Sequence, residues 1–350
     1  MTEAALTEFD SLYIDPLIAA RPAEPRDSSR LIIINRAGKN TEHKVFSDLP
    51  DLLLPGDILV LNRSKVWKAK LPALKPTGGK SELLLIKPES ADLKTWSALA
   101  RKIQPGQTLI CRGGAKAVCL RQNPDGSFLF TLSCPLDQAY LEYNAEVPLP
   151  QYILKARKKN EAGESETPDD SRYQTVFAAV PGSIAAPTAG FHFTPELLSA
   201  IRAKGVEVRY VTLHIGWGTF KPVRGEDPAA HVMLAEECSL SAETADALNS
   251  AKGRGRRIIA VGTSSMRTLE TFSDESGRLL PGEGQAGLFI YPGYRFKIAG
   301  AFLTNLHVPS SAPLYMTAAF AGRNLLFNAY KEAVDKKYRF YSYGDAMFIS

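Results

Sequence analysis

The chain has 350 residues, 45% of them hydrophobic and 23% charged, with a formal net charge of +5. That is the composition of a globular protein, long enough for a large core and, by length, for two domains. The mild basic excess fits a nucleic-acid partner without requiring one. No apolar run approaches membrane-spanning length, and the opening MTEAALTEFD lacks the basic and apolar regions of a signal peptide.

Four cysteines (Cys111, Cys119, Cys134 and Cys238) show neither a CxxC nor a metal-ligand spacing. Reduced thiols are expected, with no disulfide framework and no metal site. Together these features predict a cytoplasmic protein without membrane contact.

In chain order, Phe9, Leu12, Tyr13 and Leu17 lead into a Pro-rich stretch from Pro16 to Pro25. Arg26-Asp27-Ser28-Ser29-Arg30 follows, either an anion-binding pair of arginines or an exposed turn with paired charges. Leu31 to Ile34 suits a buried strand. From Asp48, DLPDLLLPGDILVLN predicts a helical turn, a Pro-Gly-Asp turn and a strand from Ile58 to Asn62. Short strands are then predicted over 68–75, 81–87, 95–101, 108–111, 117–121 and 127–133. Turn residues such as Thr77-Gly78-Gly79 and Asn123-Pro124-Asp125-Gly126 separate them. Strands this short and regular imply a small antiparallel barrel or sandwich. Residues 156–170 read as a mobile loop, and the basic run from Lys155 to Lys159 faces either solvent or a phosphate backbone.

From Tyr173 the pattern alternates. Strands are predicted at Gln174–Ala179, Val206–Ile215, Arg257–Val261, Leu288–Ile290 and Phe302–Thr304. Helices are predicted after the caps Thr194 and Ser241, from Gly262 through Leu269, and over Ala312–Lys336. The predicted fold class is an α/β main domain with a mixed sheet, residues 1–60 together with 150–350. A smaller all-β barrel-like domain, residues 61–149, is inserted into it.

One stretch stands apart. Ser183 to Thr194 reads SIAAPTAGFHFT, whose small residues bury little apolar area but permit close backbone approach, with His192 held between two aromatic rings. It is either a tight loop with a packed histidine or the floor of a site. His214 in TLHIGWGTF, His231 in AAHVMLAEE and His307 in TNLHVPSS share such contexts. Three of these four histidines lie where a strand or loop gives way to a Gly-, Ser- or Pro-rich turn, which is where α/β folds gather ligands. Gly262-Thr263-Ser264-Ser265, with Arg267 behind it, is either an anion site at a helix start or a plain cap. Trp217, Phe220, Tyr291 and Tyr294 are either stacking surfaces or edge-of-core residues. GEGQAG, from Gly282 to Gly287, precedes a predicted strand instead of following one, so it reads as a surface turn and not a dinucleotide loop.

Taken together, the segments RDSSRL (26–31), HKVFSDLPDLLLPGDILVLN (43–62), PLPQYI (148–153), RYQTVFA (172–178), GSIAAPTAGFHFT (182–194), VTLHIGWGTFKPV (211–223), ED with HxM (226–233), AVGTSSMRTLE (260–270), FIYPGYRF (289–296), TNLHVPSS (304–311), AFAG (319–322) and YRFYSYGDAM (338–347) resemble the S-adenosylmethionine:tRNA ribosyltransferase-isomerase family of queuosine biosynthesis. The match covers nearly the whole chain in the expected order. The chain departs from the family pattern in places: Asn62-Arg63-Ser64-Lys65-Val66 stands where the family has Asn-Asp-Thr-Arg-Val, so that Arg63 replaces an acid, Leu234 replaces a second histidine after His231, and Ser310 replaces a lysine.

The resemblance implies transfer of the ribosyl part of S-adenosylmethionine to a 7-aminomethyl-7-deazaguanine base at the tRNA wobble position. Isomerisation gives epoxyqueuosine and releases adenine and methionine. S-adenosylmethionine is then a consumed substrate, and no cofactor is expected. The chemistry asks for a base at the carbon beside the sulfonium and an acid for departing adenine. His192 and His214 lead as candidates, with His231, Glu236 and His307 assisting. Trp217 and Tyr294 are candidates to hold the sulfonium, and Arg267 with Thr263, Ser264 and Ser265 to hold the methionine carboxylate. The resemblance adds Arg172, Tyr173, Thr188, Gly190, Thr219, Asn305, Tyr343 and Asp345 as substrate-binding candidates. Two rival readings stay open at this point: a tRNA-binding homologue with weakened turnover, motivated by Arg63 and Leu234, and a transferase with a small-molecule acceptor.

Overall fold

The computed structural model describes residues 6–159, 169–220, 223 and 227–350, with the side chains of residues 219 and 220 excepted. The strands are β1 (Arg30–Asn35), β2 (Asn40–Val45), β3 (Ile58–Asn62), β4 (Ser64–Val66), β5 (Lys70–Leu74), β6 (Lys80–Pro88), β7 (Thr95–Leu99), β8 (Thr108–Cys111), β9 (Lys116–Gln122) and β10 (Phe128–Leu132). The later ones are β11 (Val180–Ser183), β12 (Glu207–Leu213), β13 (Glu236–Leu240), β14 (Ile258–Val261), β15 (Gly282–Ala286), β16 (Ala301–Asn305) and β17 (Ala346–Ile349). The helices are α1 (Leu49–Leu52), α2 (Gln138–Asn144), α3 (Gln151–Lys159), α4 (Asp169–Arg172), α5 (Pro195–Ala203), α6 (Ala242–Gly253), α7 (Gly262–Thr271), α8 (Ala312–Ala321) and α9 (Arg323–Asp335).

Two compact units result, one of residues 1–65 with 150–350 and the other of residues 66–149. In the first, nine strands form one sheet in the order β15-β13-β12-β3-β14-β16-β17-β1-β2. The run β12-β3-β14-β16 is parallel, and β17 enters antiparallel to β16 but parallel to β1. Both faces of the central strands β3, β14 and β16 are buried, so these are largely apolar and alternate between two cores. Ile58, Val60, Ile258, Ala260 and Phe302 face the core shared with Leu248, Leu269 and Leu326 of α6, α7 and α9. Leu59, Leu61, Ile259, Val261 and Leu303 face the core shared with Leu197, Leu198 and Ile201 of α5. Each such buried side chain contributes about 1.5–3 kcal/mol before entropy is charged against it.

The second unit is a closed antiparallel barrel, β10-β7-β6-β5-β8-β9. Its interior alternates along each strand, with Leu71, Ala73, Trp96, Ala98, Leu109, Cys111, Phe128 and Phe130 pointing inward. The expected fold class, a mixed-sheet α/β part with a barrel-like part, is the one observed. All four cysteines are unpaired thiols.

Several local expectations are corrected. Residues 174–179 form a turn, closed by Ala178 N–H on Thr175 O, and pairing starts only at β11. The segment turns because Tyr173 packs on Phe191 and Tyr343 while Phe177 packs on Phe193 and Tyr210, which one extended strand does not allow. Leu288–Ile290 is not a strand: Phe289 packs instead on His231, Tyr291 and Tyr315. The GEGQA run read as a turn is itself the edge strand β15, and the ring of Phe272 lies about 3.6 Å from where a Cβ on Gly282 would sit. The stretch Ala312–Lys336 is mostly helical as expected, as two helices that meet at Gly322 with φ +88°. Residues 156–159, expected in a mobile loop, close α3, while 160–168 lie outside the described residues. Among the described residues, no helix is long and apolar enough to cross a membrane.

Candidate active site

The parallel strands β12, β3, β14 and β16 all end on the same edge, at Leu213, Asn62, Val261 and Asn305. Side chains and helix starts therefore converge there, as at other α/β sheet ends. Asn62 is the knot: its amide donates to Leu213 O at 2.9 Å and to Ser264 Oγ at 3.0 Å. Its carbonyl oxygen accepts from Ser64 and Leu213 N–H. One buried amide thus ties β3, β4, β12 and the first turn of α7. Helix α7 begins at Gly262, whose φ of +82° suits glycine, and a Cβ there would meet Ala189 of the small-residue loop at 3.4 Å. The stretch Ser183–Thr194 is thereby laid against the strand ends.

His192 lies in that stretch within a short 3₁₀ turn, Thr188–His192, and is 4% exposed. Its Nδ1 is 2.7 Å from Ser29 Oγ and its Nε2 is 3.1 Å from the Asn305 amide. Thr188 Oγ donates to that amide's oxygen at 2.8 Å, and Phe46 stacks on the imidazole with centroids 4.8 Å apart. Burial pushes its pKa down to about 4, opposed by Asp345 and assisted by Arg339 and Arg26. The ring is neutral and sealed at both nitrogens.

His214 is placed differently. It follows β12 and is half-buried, and burial lowers its pKa against the opposing field of Glu237. Its Nδ1 is 2.7 Å from Ser64 Oγ, which is 2.6 Å from Ser183 Oγ. Ser183 Oγ also accepts Ile215 N–H at 2.9 Å. A Cβ on Gly182, φ +149°, would sit 2.5 Å from the His214 ring. Nε2 has no hydrogen-bond partner among the described residues.

The loop carrying His214 runs beside the segment carrying His231. His214 N–H donates to Glu237 O at 2.8 Å, Gly216 N–H donates to Glu236 Oε1 at 2.9 Å, and Leu234 lies 2.9 Å from where a Gly218 Cβ would be. These three rungs bring His214 and Glu236 into one region, with His231 three residues before Leu234 on the same segment. They also explain Leu234, whose aliphatic side chain fills the space over Gly218. His231 packs on Phe289 at 4.8 Å and is half-buried, with no hydrogen bond to its ring among the described residues; burial lowers its pKa.

Several expected ligand-binding groups are engaged within the protein instead. Arg267 is 7% exposed, paired with Glu236 and bonded to Ala286 O, so it braces Glu236 and is not presented to a carboxylate. Burial raises the Glu236 pKa and Arg267 lowers it, with a net rise. Asp345, 1% exposed, is clamped by Arg30 and Arg339 and by both their backbone N–H groups. Tyr294 donates to Glu270 at 2.8 Å, and His307 meets Thr304 Oγ at 2.8 Å. Arg172 pairs with Glu24 at 2.7 Å.

Tyr173 and Tyr343 are buried with no hydrogen-bond partner for either hydroxyl among the described residues, and Gly190 admits Thr175 and Phe177 against its backbone. Ser264 accepts from Asn62, Ser265 is fully buried, and Thr263 is half-buried at the start of α7. Trp217 is half-buried on a short 3₁₀ turn, Trp217–Phe220. The side chain of Thr219, and Glu226 of the ED pair, lie outside the described residues. Asn62, Ser64 and Ser183 were not read as site residues from sequence. The first carries no pattern of its own, and the serines acquire meaning only when β4 meets β11.

A family model described as "Queuosine biosynthesis protein" matches residues 6–349. The chain belongs to this family. A protein of Pelobacter propionicus named S-adenosylmethionine:tRNA ribosyltransferase-isomerase is 44% identical over 346 residues, covering 98% of each chain. One of the same name from Thermus thermophilus is 47% identical over 344 residues, covering 95% of each. The crystal structure of S-adenosylmethionine tRNA ribosyltransferase from Thermotoga maritima is similar with a TM-score of 0.51 at 35% identity, over 95% of this chain and 96% of that one. Against this family, the strand-end cluster around Asn62 and His214 is the candidate active site. Among the described residues, no three His, Cys, Asp or Glu side chains are grouped to hold a metal ion.

Proposed function

We propose that this protein is an S-adenosylmethionine:tRNA ribosyltransferase-isomerase of queuosine biosynthesis. It moves the ribosyl unit of S-adenosylmethionine onto 7-aminomethyl-7-deazaguanine at the tRNA wobble position and rearranges it to the epoxycyclopentanediol of epoxyqueuosine, releasing adenine and methionine. The observation that carries this reading is identity of 44–47% with relatives of that name, end to end in both chains. The tRNA substrate assigns the protein to the cytoplasm, and S-adenosylmethionine is consumed, so no resident cofactor is needed.

The residues divide by what their contacts leave available. His214 Nε2 and the His231 ring carry no hydrogen bond among the described residues, and we assign the two substrate-facing roles, proton removal beside the sulfonium and hydrogen bonding to the departing adenine, to this pair. His192, Asn305, Thr188, Asp345 and Arg267 hold the floor and walls in place. Trp217 is the aromatic candidate for the sulfonium, a contact of about 0.5–2 kcal/mol. The departures at Arg63 and Leu234 do not argue for lost turnover. Arg63 is exposed and supports the site through its backbone, with N–H on Val211 O and its carbonyl accepting from Ala179 and Val180. Leu234 is packed as described.

The test incubates purified protein with ribose-labelled S-adenosylmethionine and precursor-bearing tRNA. Free adenine together with labelled epoxyqueuosine in the tRNA is expected. Binding of tRNA without product, or adenine release without tRNA, contradicts the assignment.

A further inference from the structure

The hydroxyl chain behind His214 has a direction. Ser64 and Ser183 are both fully buried, so each hydroxyl proton needs an acceptor inside the protein. Ser183 Oγ has two neighbours: Ile215 N–H, which can only donate to it, and Ser64 Oγ. The Ser183 proton therefore goes to Ser64. Among the described residues, Ser64 Oγ is bonded only to Ser183 and to His214 Nδ1, so its own proton goes to the imidazole. The opposite order, Nδ1–H to Ser64 to Ser183, leaves the Ser183 proton with no acceptor, which disfavours it by roughly tenfold or more.

We propose that Ser183 and Ser64 are positioning residues that fix His214 as its Nε2–H tautomer, so that this imidazole meets the substrate as a hydrogen-bond donor and not as the base. The inference rests on the activity proposed above for its substrate. There, the acceptor is an atom that gains electron density as adenine departs. The proton stays on the ring throughout, and the departing adenine takes the proton it needs from solvent. A neutral imidazole stabilises developing negative charge by donation alone, and deprotonation of the carbon beside the sulfonium falls to another group, the role that the proposed assignment leaves to His231. Gly182 completes the device, because its missing side chain lets the backbone lie against the ring.

The direct experiment is nitrogen NMR of the full-length protein labelled with ¹⁵N-histidine at pH 7.5, with the His214 signals assigned by their loss in His214→Gln. The proton is expected on Nε2, with Nδ1 as the unprotonated nitrogen; a proton on Nδ1, or a fast average of both tautomers, overturns the proposal. Ser64→Ala should convert the signals to such an average. This readout needs no substrate, so it stands or falls apart from the assigned reaction. In the adenine-release assay, His214→Gln, which keeps an N–H donor near the same place, should stay within about tenfold of the wild type. His214→Ala should lose about 100-fold or more. Adding Ser64→Ala to His214→Gln should cost little further, whereas Ser64→Ala alone should lower kcat with KM nearly unchanged. A Gln variant as inactive as the Ala variant overturns the donor role.

Discussion

His192 and His214 look alike in the sequence, each a lone imidazole among glycines and aromatics, yet their surroundings are opposite. At His192 both ring nitrogens are taken, by Ser29 and by Asn305, and Phe46 covers the face. At His214 one nitrogen is anchored through Ser64 and the other is open. A sealed imidazole transmits position, whereas a half-anchored one has a fixed orientation and a free atom with which to act. Sequence context reports that a histidine is framed, and only the partners of its two nitrogens tell which kind of frame it is.

Four perturbations sharpen that contrast. The largest effect is expected from Arg267→Gln. It strands the buried Glu236 carboxylate that holds Gly216 beside His214, and it should cost about 3–5 kcal/mol in denaturant unfolding at pH 7. Next, His192→Ala opens a cavity under Phe46 and orphans the Ser29 and Asn305 groups. The expected loss is about 2–4 kcal/mol, read by the same unfolding curves.

Gly182→Ala acts on the other side of the comparison. Its Cβ would push into the His214 ring, so adenine release should fall by about 10- to 100-fold while stability changes far less. The smallest effect is a pH dependence. Burial holds His192 at about 4, below the ordinary value of 6.5. The unfolded chain therefore takes up the proton first as pH falls. The stability this residue contributes is present above about pH 6.5, is lost progressively down to about pH 4, and changes no further below that. Thermal unfolding across this window should show a shallower decline in His192→Gln than in the wild type.

The contrast also marks where sequence reasoning succeeds. Strands of the barrel were legible because inward and outward residues alternate between clear turns, as in Phe128, Phe130 and Leu132 after Asn123–Gly126. Apolar runs such as Ile58–Asn62 and Ile258–Val261 were legible because both faces of a parallel sheet are buried. The pattern failed where tertiary context decides. Asn40–Val45 is a polar edge strand with no apolar alternation, and β15 is a glycine strand that pairs because Phe272 covers it. The C-terminal Ala346–Ile349 runs between β16 and β1, which no local feature of SYGDAMFIS announces.

In the site, the histidines and the loop of small residues stood out by residue type. Their proposed division into braces and reacting groups did not, since it depends on pairs such as His192–Ser29 and Ser64–Ser183, separated by 163 and 119 positions. Arg267 illustrates the same limit: an arginine behind a helix start reads as an anion binder until Glu236 is seen against it.

On the proposed assignment, substrate meets His214 and not His192. Single-turnover release of adenine, measured for His214→Ala and His192→Ala on precursor-bearing tRNA and corrected for the folded fraction of each protein, tests it most directly. A loss of about 100-fold or more is expected for His214→Ala and a loss within about tenfold for folded His192→Ala. The reverse order, with folded His192→Ala inactive and His214→Ala nearly unaffected, contradicts it.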